Sequence, residues 1–177
     1  IASQLSVGGK LKDYDLQRWD SINHVAIKEA VLPFNKFPAE SIFLSPEMKS
    51  TGEVMGISDT FGLSFYKATL SAGIELPGKG IIFISVIDED KFKIISIARG
   101  FKELDFKIIA TEGTSNELKK NGIPADTVYK VGEGRPNIVD RIKNNEVALV
   151  INTPLGAQSR YDEEAIGKAC IQKGIMA

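Results

Sequence analysis

The feature that most constrains the fold is a regular alternation of apolar runs and helical patterns that begins at Gly80. The apolar runs IIFISV, KIIAT, DTVYKV and ALVINT alternate with helical patterns at about 91–103, 114–121, 137–144 and 161–173. Such alternation is typical of βαβ units, in which helices cover a mainly parallel sheet. IIFISV and ALVIN are apolar at consecutive positions, as strands buried between two helix layers require. The sequence therefore predicts a doubly wound α/β domain over residues 80–177.

The residues before Gly80 follow a different pattern. HVAIKEAVLPF alternates as a strand does, SFYKATLSAG at 64–73 predicts a helix ended by Gly73, and ELPGKG is typical of a linker. We therefore predict a smaller α+β unit over residues 1–76. IASQLSVGGK reads as the end of a helix and GIMA as the start of a strand, so we expect the chain to be a piece of a longer polypeptide.

Charge and cysteine content restrict the class of partner. Among 177 residues, 22 Lys and Arg face 23 Asp and Glu, which leaves no basic excess for nucleic acid or an anionic membrane. No apolar run approaches the ~20 residues of a membrane-spanning helix. Cys170 is the only cysteine and falls in a helical pattern, which excludes an internal disulfide framework and a cysteine-rich zinc site. We expect a small-molecule partner and a cytoplasmic location.

A candidate anion site lies among the turns that follow the predicted strands, because ligands of such sheets bind beyond the carboxyl ends of the strands. Thr111 ends a strand and Thr114 opens a helix, so their hydroxyls and the first N–H groups of that helix would converge on an anion. Lys91 follows the first strand and Lys130 ends the third, so both could reach the same edge. This combination predicts a phosphate site.

Each of these residues also has a purely structural interpretation. Thr114 and Glu117 fit a capping box, in which each satisfies the other's backbone N–H without a ligand, and either lysine could be a solvated surface residue. VGEGRPNIVD predicts a tight turn and a helix from about Pro136, with Arg135 either facing the site or exposed. Asn152 at a strand end suits a base or a phosphate oxygen, or caps a turn.

Other polar residues give weaker signals. His24 lies among alternating apolar residues without an acidic, histidine or cysteine partner nearby in sequence, which favours a structural role. Glu47, Glu53 and Asp59 have a spacing that matches no metal-ligand pattern. We predict no metal site in this chain.

Two parts of the sequence resemble two modules of a known family, in the same order along the chain. VLPFNKFPAESIFLSPEMKSTGEVMG resembles the segment that closes the second ATP-grasp half of carbamoyl-phosphate synthase large subunits. The part from Gly80 onward resembles the regulatory domain of those subunits, which has the methylglyoxal synthase-like fold. The stretches that carry this resemblance are SVIDEDK, ATEGTSNELKKNGI and YKVGEGRPNIVDRIKNNEVALVINTPLG. The resemblance implies that residues 1–76 are the end of an ATP-grasp half and that residues 80–177 form an incomplete regulatory domain.

The resemblance also implies a parent enzyme and its partners. Such a ligase makes carbamoyl phosphate from bicarbonate, ATP and glutamine-derived ammonia for pyrimidine and arginine synthesis, and it requires ATP, Mg²⁺ and K⁺. A glutaminase small subunit and the rest of the large subunit would be partners, and an oligomer is compatible with the family. The present chain lacks the parts that hold ATP and Mg²⁺, so we expect no cofactor and no catalysis within it.

The role implied for this chain is the binding of an allosteric effector, either a nucleotide monophosphate or ornithine. One residue departs from the family pattern: Pro154 stands where enteric members have a threonine, so a hydroxyl donor is missing. In addition, Glu112 adds a negative charge beside the expected phosphate. The residues that the resemblance assigns to the phosphate and the nucleotide are Lys91, Thr111, Thr114, Lys130 and Asn152, with Gly113, Arg135 and Thr153 as additional candidates.

Two alternatives of other classes stay open at the level of sequence. The resemblance implies that a stand-alone methylglyoxal synthase would need a general-base aspartate in a GGDQQ-like turn, and the corresponding turn, which begins GEGRP, lacks it. Only Asp162 in RYDEE corresponds to that enzyme's second, HDPD-like acidic stretch. The other alternative is a docking module whose phosphate site is vestigial.

Overall fold

The computed structural model describes residues 1–14, 23–32, 52–153 and 156–177. Its strands are β1 Val25–Val31, β2 Gly52–Ser58, β3 Ile81–Ser85, β4 Lys107–Ala110, β5 Asp126–Thr127 and β6 Leu149–Asn152. Its helices are α1 Ala2–Ser6, α2 Phe61–Ser71, α3 Lys91–Glu103, α4 Glu112–Lys120, α5 Ile138–Lys143 and α6 Gly156–Lys173. Short 3₁₀ turns lie at Leu11–Asp13 and Asp88–Asp90.

The first region is a two-stranded antiparallel sheet with one helix packed against it. β1 and β2 pair with Val25 opposite Ser58 and Val31 opposite Gly52. The exposure of β1 alternates along the strand, as expected from the period of two in its sequence. α2 begins after Thr60, whose side chain accepts a hydrogen bond from the Leu63 N–H. The predicted strand and helix are thus present, and the helix starts three residues earlier than expected.

The helix of this first region lies unusually close to the sheet. Ser64, Ala68 and Thr69 are fully buried on α2, and the Ser64 hydroxyl donates to the Val25 carbonyl over 2.7 Å. A methyl group at Gly56 would overlap the Ser64 carbonyl oxygen and lie 2.5 Å from the Ala68 nitrogen. Only glycine permits this approach of β2 to α2.

The second region contains a four-stranded sheet in the order β5-β4-β3-β6. All three strand pairings are parallel, with Ile84 opposite Ala110 on one side and Ile151 on the other. β3 is central, and the polypeptide leads to β4 on one side before it returns to β6 on the other. This arrangement confirms the predicted mainly parallel α/β sheet.

Helices cover both faces of the sheet because successive β3 residues point to opposite sides. Ile82 and Ile84 pack in one core with side chains of α3 and α4, including Ile94 and Leu118. Phe83 packs in the other core with side chains of α5 and α6: Ile138, Ile142, Ile166, Ala169 and Cys170. The sheet is therefore doubly wound, as the apolar runs predicted.

Several predicted boundaries are wrong near the candidate site. The predicted strand DTVYKV is regular only at Asp126–Thr127, because the chain turns after Tyr129, with Gly132 at φ +91°. Tyr129 instead forms a bridge to Asn137. α5 begins at Ile138 rather than Pro136, since Asn137 is its N-cap. α6 begins at 156 rather than 161.

Predictions were also made for the two ends of the sequence and for the connection between the two regions. α1 confirms a short helix before Gly8, and Met176 forms a parallel bridge to Leu149, consistent with a strand beginning at GIMA. Residues 74–80 contain no helix or strand. The division of the chain at 76–80 stays a prediction.

Candidate functional site

A cavity of about 540 Å³ lies beyond the carboxyl ends of β3, β4 and β6. Its volume falls within the ~300–1,000 Å³ that small-molecule sites occupy. It lies where the strand order reverses, the usual ligand position in such sheets. Seven of the eight predicted site residues line it: Lys91, Thr111, Gly113, Thr114, Lys130, Asn152 and Thr153.

Two buried hydroxyls form the wall of the cavity at the start of α4. Thr111 is 5% exposed and immediately precedes the helix, and Thr114 is 1% exposed and is its third residue. The Thr111 Oγ1 lies 3.3 Å from the Ser85 Oγ and 3.4 Å from the Thr114 Oγ1. The Thr114 Oγ1 also accepts a hydrogen bond from the Val86 N–H over 3.3 Å. These contacts position both hydroxyls, whose hydrogens can rotate toward a bound anion.

The predicted capping box at Thr114 and Glu117 is wrong. Thr111 occupies the N-cap position of α4 and makes no side-chain hydrogen bond to the backbone of the first turn. Glu117 lies too far along the helix to act as its N3 residue, and its carboxylate accepts from the Asn121 side chain instead. A capping box does occur at α5, where Asn137 and Asp140 each accept from the other's N–H over 3.1 and 3.0 Å.

Lys91 extends over the first turn of α4. Its Nζ would lie 3.3 Å from a methyl group placed on Gly113, and it pairs with the Asp88 carboxylate at 2.6 Å. The Lys91 side chain is 25% exposed, whereas that of Asp88 is 92% exposed. The hydrogen bond from Lys91, and then its charge, lower the pKa of Asp88. An anion in the cavity would share the Lys91 ammonium with a solvated carboxylate.

Lys130 and Asn152 approach the cavity from two other segments. Lys130 lies in the loop after β5, not at a strand end as predicted, and is exposed. Its backbone N–H donates to the Glu133 carboxylate over 3.1 Å, which orders the turn. Asn152 is the last residue of β6 and is half-buried. The side chains of both residues line the cavity.

The two remaining candidates differ in position. The Thr153 Oγ1 accepts from the Ile87 N–H over 3.1 Å, so this hydroxyl connects β6 to the loop after β3 while it lines the cavity. Arg135 does not line the cavity: its side chain is 84% exposed and its Nε lies 3.9 Å from the Asp140 Oδ2. Glu112 is exposed and is also outside the lining, so its charge is not presented to the site.

Ten lining residues were not among the predicted site residues, and four of these carry polar side chains: Ser85, Asp88, Glu89 and Asp162. Ser85 is hydrogen-bonded to Thr111, and its position at the end of a predicted strand could have indicated it. Asp162 on α6 lines the cavity, and its Oδ1 is buried without a hydrogen-bond partner among the described residues. Burial raises the pKa of Asp162, against the opposing effect of Lys130 and with a smaller contribution from Glu133. The resemblance to methylglyoxal synthase singled out Asp162 among the acidic residues of α6, but the local sequence pattern did not predict that it lines the cavity.

The remaining sequence predictions concern metals, His24 and Cys170. Within the described ranges no group of three His, Cys, Asp or Glu side chains could hold a metal ion. Glu53 pairs with Lys28 at 2.8 Å, and Glu47 lies outside the described residues. His24 is exposed just before β1. Cys170 is buried on α6, and burial raises the pKa of its thiol to about 12, which leaves it unreactive near neutral pH.

Among the helices that the structure describes, none has the length and apolar character needed to cross a membrane.

Comparison with known proteins identifies relatives of one kind. A carbamoyl phosphate synthase large chain from Archaeoglobus fulgidus is 50% identical over 99% of this chain, which covers 16% of that protein. The large chain from Acidobacterium capsulatum is 48% identical over 99% of this chain and 17% of its own length. The C-terminal section of the large chain from Aquifex aeolicus is 54% identical over 83% of this chain and 27% of that protein. The present chain thus spans only a small part of the curated relatives that it matches.

A family model gives the same result for the second region. The MGS-like domain matches residues 93–177, which include α4, α6, most of α3 and most of the cavity lining. Residues 93–177 thus match the model of the MGS-like domain, and the chain is similar over almost its whole length to carbamoyl phosphate synthase large chains.

Proposed function

We propose that this chain is the effector-binding section of a carbamoyl phosphate synthase large chain and that its effector is a phosphorylated small molecule, in particular a nucleoside monophosphate. One observation carries the proposal. The buried hydroxyls of Thr111 and Thr114 and the ammonium of Lys91 meet at the start of α4, inside the cavity at the strand ends.

The chemistry of this corner suits a phosphate group. A phosphate dianion accepts several hydrogen bonds, and the first turn of a helix supplies N–H groups and a favourable dipole. The two threonine hydroxyls add neutral donors, while Lys91 and Lys130 supply charge-assisted ones. The net charge of the chain is only -1, so the attraction for an anion is local to this corner.

The rest of the cavity suits an organic group attached to that phosphate. Phe83, Ile138 and Ile166 supply apolar surface, and Asn152 supplies both a donor and an acceptor. A base or sugar could pack on the apolar surface and hydrogen-bond to the amide. These features favour a nucleoside monophosphate over inorganic phosphate, and over ornithine, which carries no phosphate.

The effector would act through the larger protein. The relatives are named carbamoyl phosphate synthase large chains. We propose that the larger protein is a cytoplasmic ligase and that ATP, Mg²⁺, K⁺ and a glutaminase subunit are bound outside this segment. A ligand that binds this domain better in one arrangement of the parent than in another shifts the activity by that difference in affinity.

A second candidate function is methylglyoxal synthase activity, which the position of Asp162 in the cavity favours. The loop that would carry a second aspartate, GEGRPNIVD, offers none to the cavity, and Arg135 points away from it. We expect no turnover of dihydroxyacetone phosphate. Turnover that disappears in Asp162→Asn would replace the effector-binding proposal with this one.

Calorimetric titration in phosphate-free buffer tests the proposal. UMP or IMP is expected to bind. In a separate thermal denaturation, a nucleotide concentration of one hundred times the Kd should stabilise the chain by about 2.7 kcal/mol, which corresponds to a rise in Tm of roughly 5 to 10 °C. Lys130→Ala should weaken binding about tenfold to a hundredfold, because it removes a charged hydrogen-bond donor.

Lys119→Ala is the matched control, since Lys119 is exposed near the end of α4 and does not line the cavity. It removes the same charge from the protein and should leave the Kd within about twofold. A Tm that is indifferent to UMP, IMP and inorganic phosphate at millimolar concentration would instead favour a docking module with a vestigial site.

A further inference from the structure

Asp162 places a carboxylate on the α6 side of the cavity, whereas the two other lining carboxylates, Asp88 and Glu89, lie in the 3₁₀ turn after β3. It lies on α6, one turn before Ile166, and both side chains line the cavity. Its Oδ1 is buried and has no hydrogen-bond partner among the described residues. Buried acceptors of this kind are uncommon in native proteins, and an acceptor that stays unpaired is unfavourable because it has lost its bonds to water. A ligand that donates a hydrogen bond to Asp162 would remove that penalty.

The carboxylate reaches the cavity from the side opposite the two threonines. α4 packs in the core on one face of the sheet, and α6 packs in the core on the other face. Phe83 and Ile166 line the cavity and belong to the core on the α6 side. A phosphate at Thr111 and Thr114 would therefore leave its organic substituent to extend along apolar surface toward α6.

We propose that Asp162 accepts a hydrogen bond from the organic part of the effector and so selects phosphate esters that carry a donor at that end. The inference rests on the proposed function, because it assumes that the phosphate occupies the threonine corner. The donor is a sugar hydroxyl or a ring N–H. Inorganic phosphate at the threonine corner has no organic substituent that could reach this carboxylate, so it gains nothing from Asp162.

The charges around Asp162 are compatible with this role. Lys130 is the nearby cation and Glu133 the nearby anion that act on its carboxylate. Lys130 also lines the cavity, so a phosphate can draw on the same ammonium while Asp162 meets a neutral donor. Asp162 thus contributes to the choice of ligand rather than to the binding of phosphate itself.

Titration of Asp162→Ala with four probes tests the inference: UMP, IMP, 2′,3′-dideoxyuridine monophosphate and inorganic phosphate. The better of the two natural nucleotides should bind at least about tenfold more weakly to the variant, as loss of a charged hydrogen-bond acceptor predicts. Inorganic phosphate should bind the variant as tightly as the original protein, or a few-fold more tightly. An effect that vanishes for the dideoxy nucleotide identifies ribose hydroxyls as the donor, and one that persists identifies the ring N–H.

Glu163→Ala is the control, because this neighbour on α6 carries the same charge and does not line the cavity. Three results would overturn the role of Asp162. The first is that Asp162→Ala weakens the binding of nucleotide and of inorganic phosphate equally, and the second is that it leaves nucleotide binding unchanged. The third is that the original protein binds neither nucleotide more tightly than inorganic phosphate. In those cases binding of phosphate that depends on Lys130 would leave the proposed function standing. Failure of every probe to bind the original protein would overturn both.

Discussion

The two regions of the molecule bury different kinds of residue. Around α2 the buried positions are small or polar, namely Gly56, Ser64, Ala68 and Thr69. Around β3 the buried positions are large and apolar on both faces of the sheet. Large apolar side chains of β2 and α2 are instead exposed: Met55, Ile57, Phe61, Leu63, Phe65, Tyr66 and Leu70.

This difference indicates how each region is stabilised. Full burial of an Ile, Leu or Phe side chain contributes about 1.5–3 kcal/mol, so the parallel sheet has the core of an independent domain. The described part of the first region relies on close backbone packing and on hydrogen bonds such as that of Ser64. We therefore expect the second region to fold and bind ligand on its own, and the first to be sensitive to small steric changes.

The largest expected effect is that of Gly56→Ala. The added methyl group would overlap backbone atoms of α2, which are held in place by the helix, so about 3 kcal/mol or more should be lost. Hydrogen exchange should accelerate at residues 52–71 and stay unchanged at 81–152. Limited proteolysis should cleave near residues 76–80 and leave the second region intact.

Gly62→Ala serves as the control for this steric argument. Gly62 lies in α2 with open space around its Cα, so alanine should stabilise the helix by up to about 1 kcal/mol. If Gly56→Ala reduced protection from hydrogen exchange in both regions, the two regions would unfold together. The second region would then not be stable independently of the first.

A smaller effect is expected inside the second region from Asn137→Ala. This change removes the capping box of α5, and the Asn137 side chain is the acceptor for the Asp140 N–H. Loss of an N-cap costs about 1–2 kcal/mol, so the Tm should fall by several degrees. Thermal denaturation monitored by circular dichroism measures it.

The matched variant is Asn144→Ala, at the other end of the same helix, where the side chain bonds only to the exposed Glu146. It should cost no more than a few tenths of a kcal/mol. Equal losses from the two variants would contradict the capping assignment.

The smallest predicted effect is the change in stability on Asp162→Asn in the absence of ligand. The folded pKa of Asp162 is raised above its ordinary value, so the folded state binds the proton more tightly and the charged form opposes folding. The penalty is absent below the ordinary pKa and develops as the pH rises through the raised value. At pH 7 the variant should equal or exceed the original protein in stability by a few tenths of a kcal/mol to about 1.

Denaturant titrations at pH 7 and near pH 4 measure the difference in stability between Asp162→Asn and the original protein. This difference should be smaller near pH 4. A variant that is clearly less stable at pH 7 would show that Asp162 has a favourable structural partner. That result would also weaken its assignment as a ligand acceptor.

The sequence predicted those parts of the site that depend on local periodicity. Parallel strands end at one edge of a sheet, so the positions of Lys91 and Thr111 followed from the alternation of strands and helices. The start of α4 was ambiguous, because Thr111 and Thr114 both precede residues that fit a first helical turn. In the structure the helix begins at Glu112, so Thr111, whose backbone is extended, is the cap, and the Thr114 hydroxyl accepts from the Val86 N–H.

Features that depend on contacts distant in sequence were not predictable. Asp162 reaches the cavity because α6 packs on the face of the sheet opposite α4, a contact without a sequence signature. Arg135 turns outward because the backbone reverses after Tyr129, and that reversal also places Lys130 in a loop. Pro154, which departs from the family pattern, lies outside the described residues.

The central claim is that a phosphate group binds at Thr111 and Thr114 in the second region. A crystal structure of the protein grown with UMP or IMP in phosphate-free conditions tests it most directly. The account predicts that phosphate oxygens lie within about 3.2 Å of both threonine Oγ1 atoms, with Lys91 and Lys130 turned toward them. A nucleotide whose phosphate lies elsewhere, with these hydroxyls still bonded to each other, to Ser85 and to Val86, would contradict it.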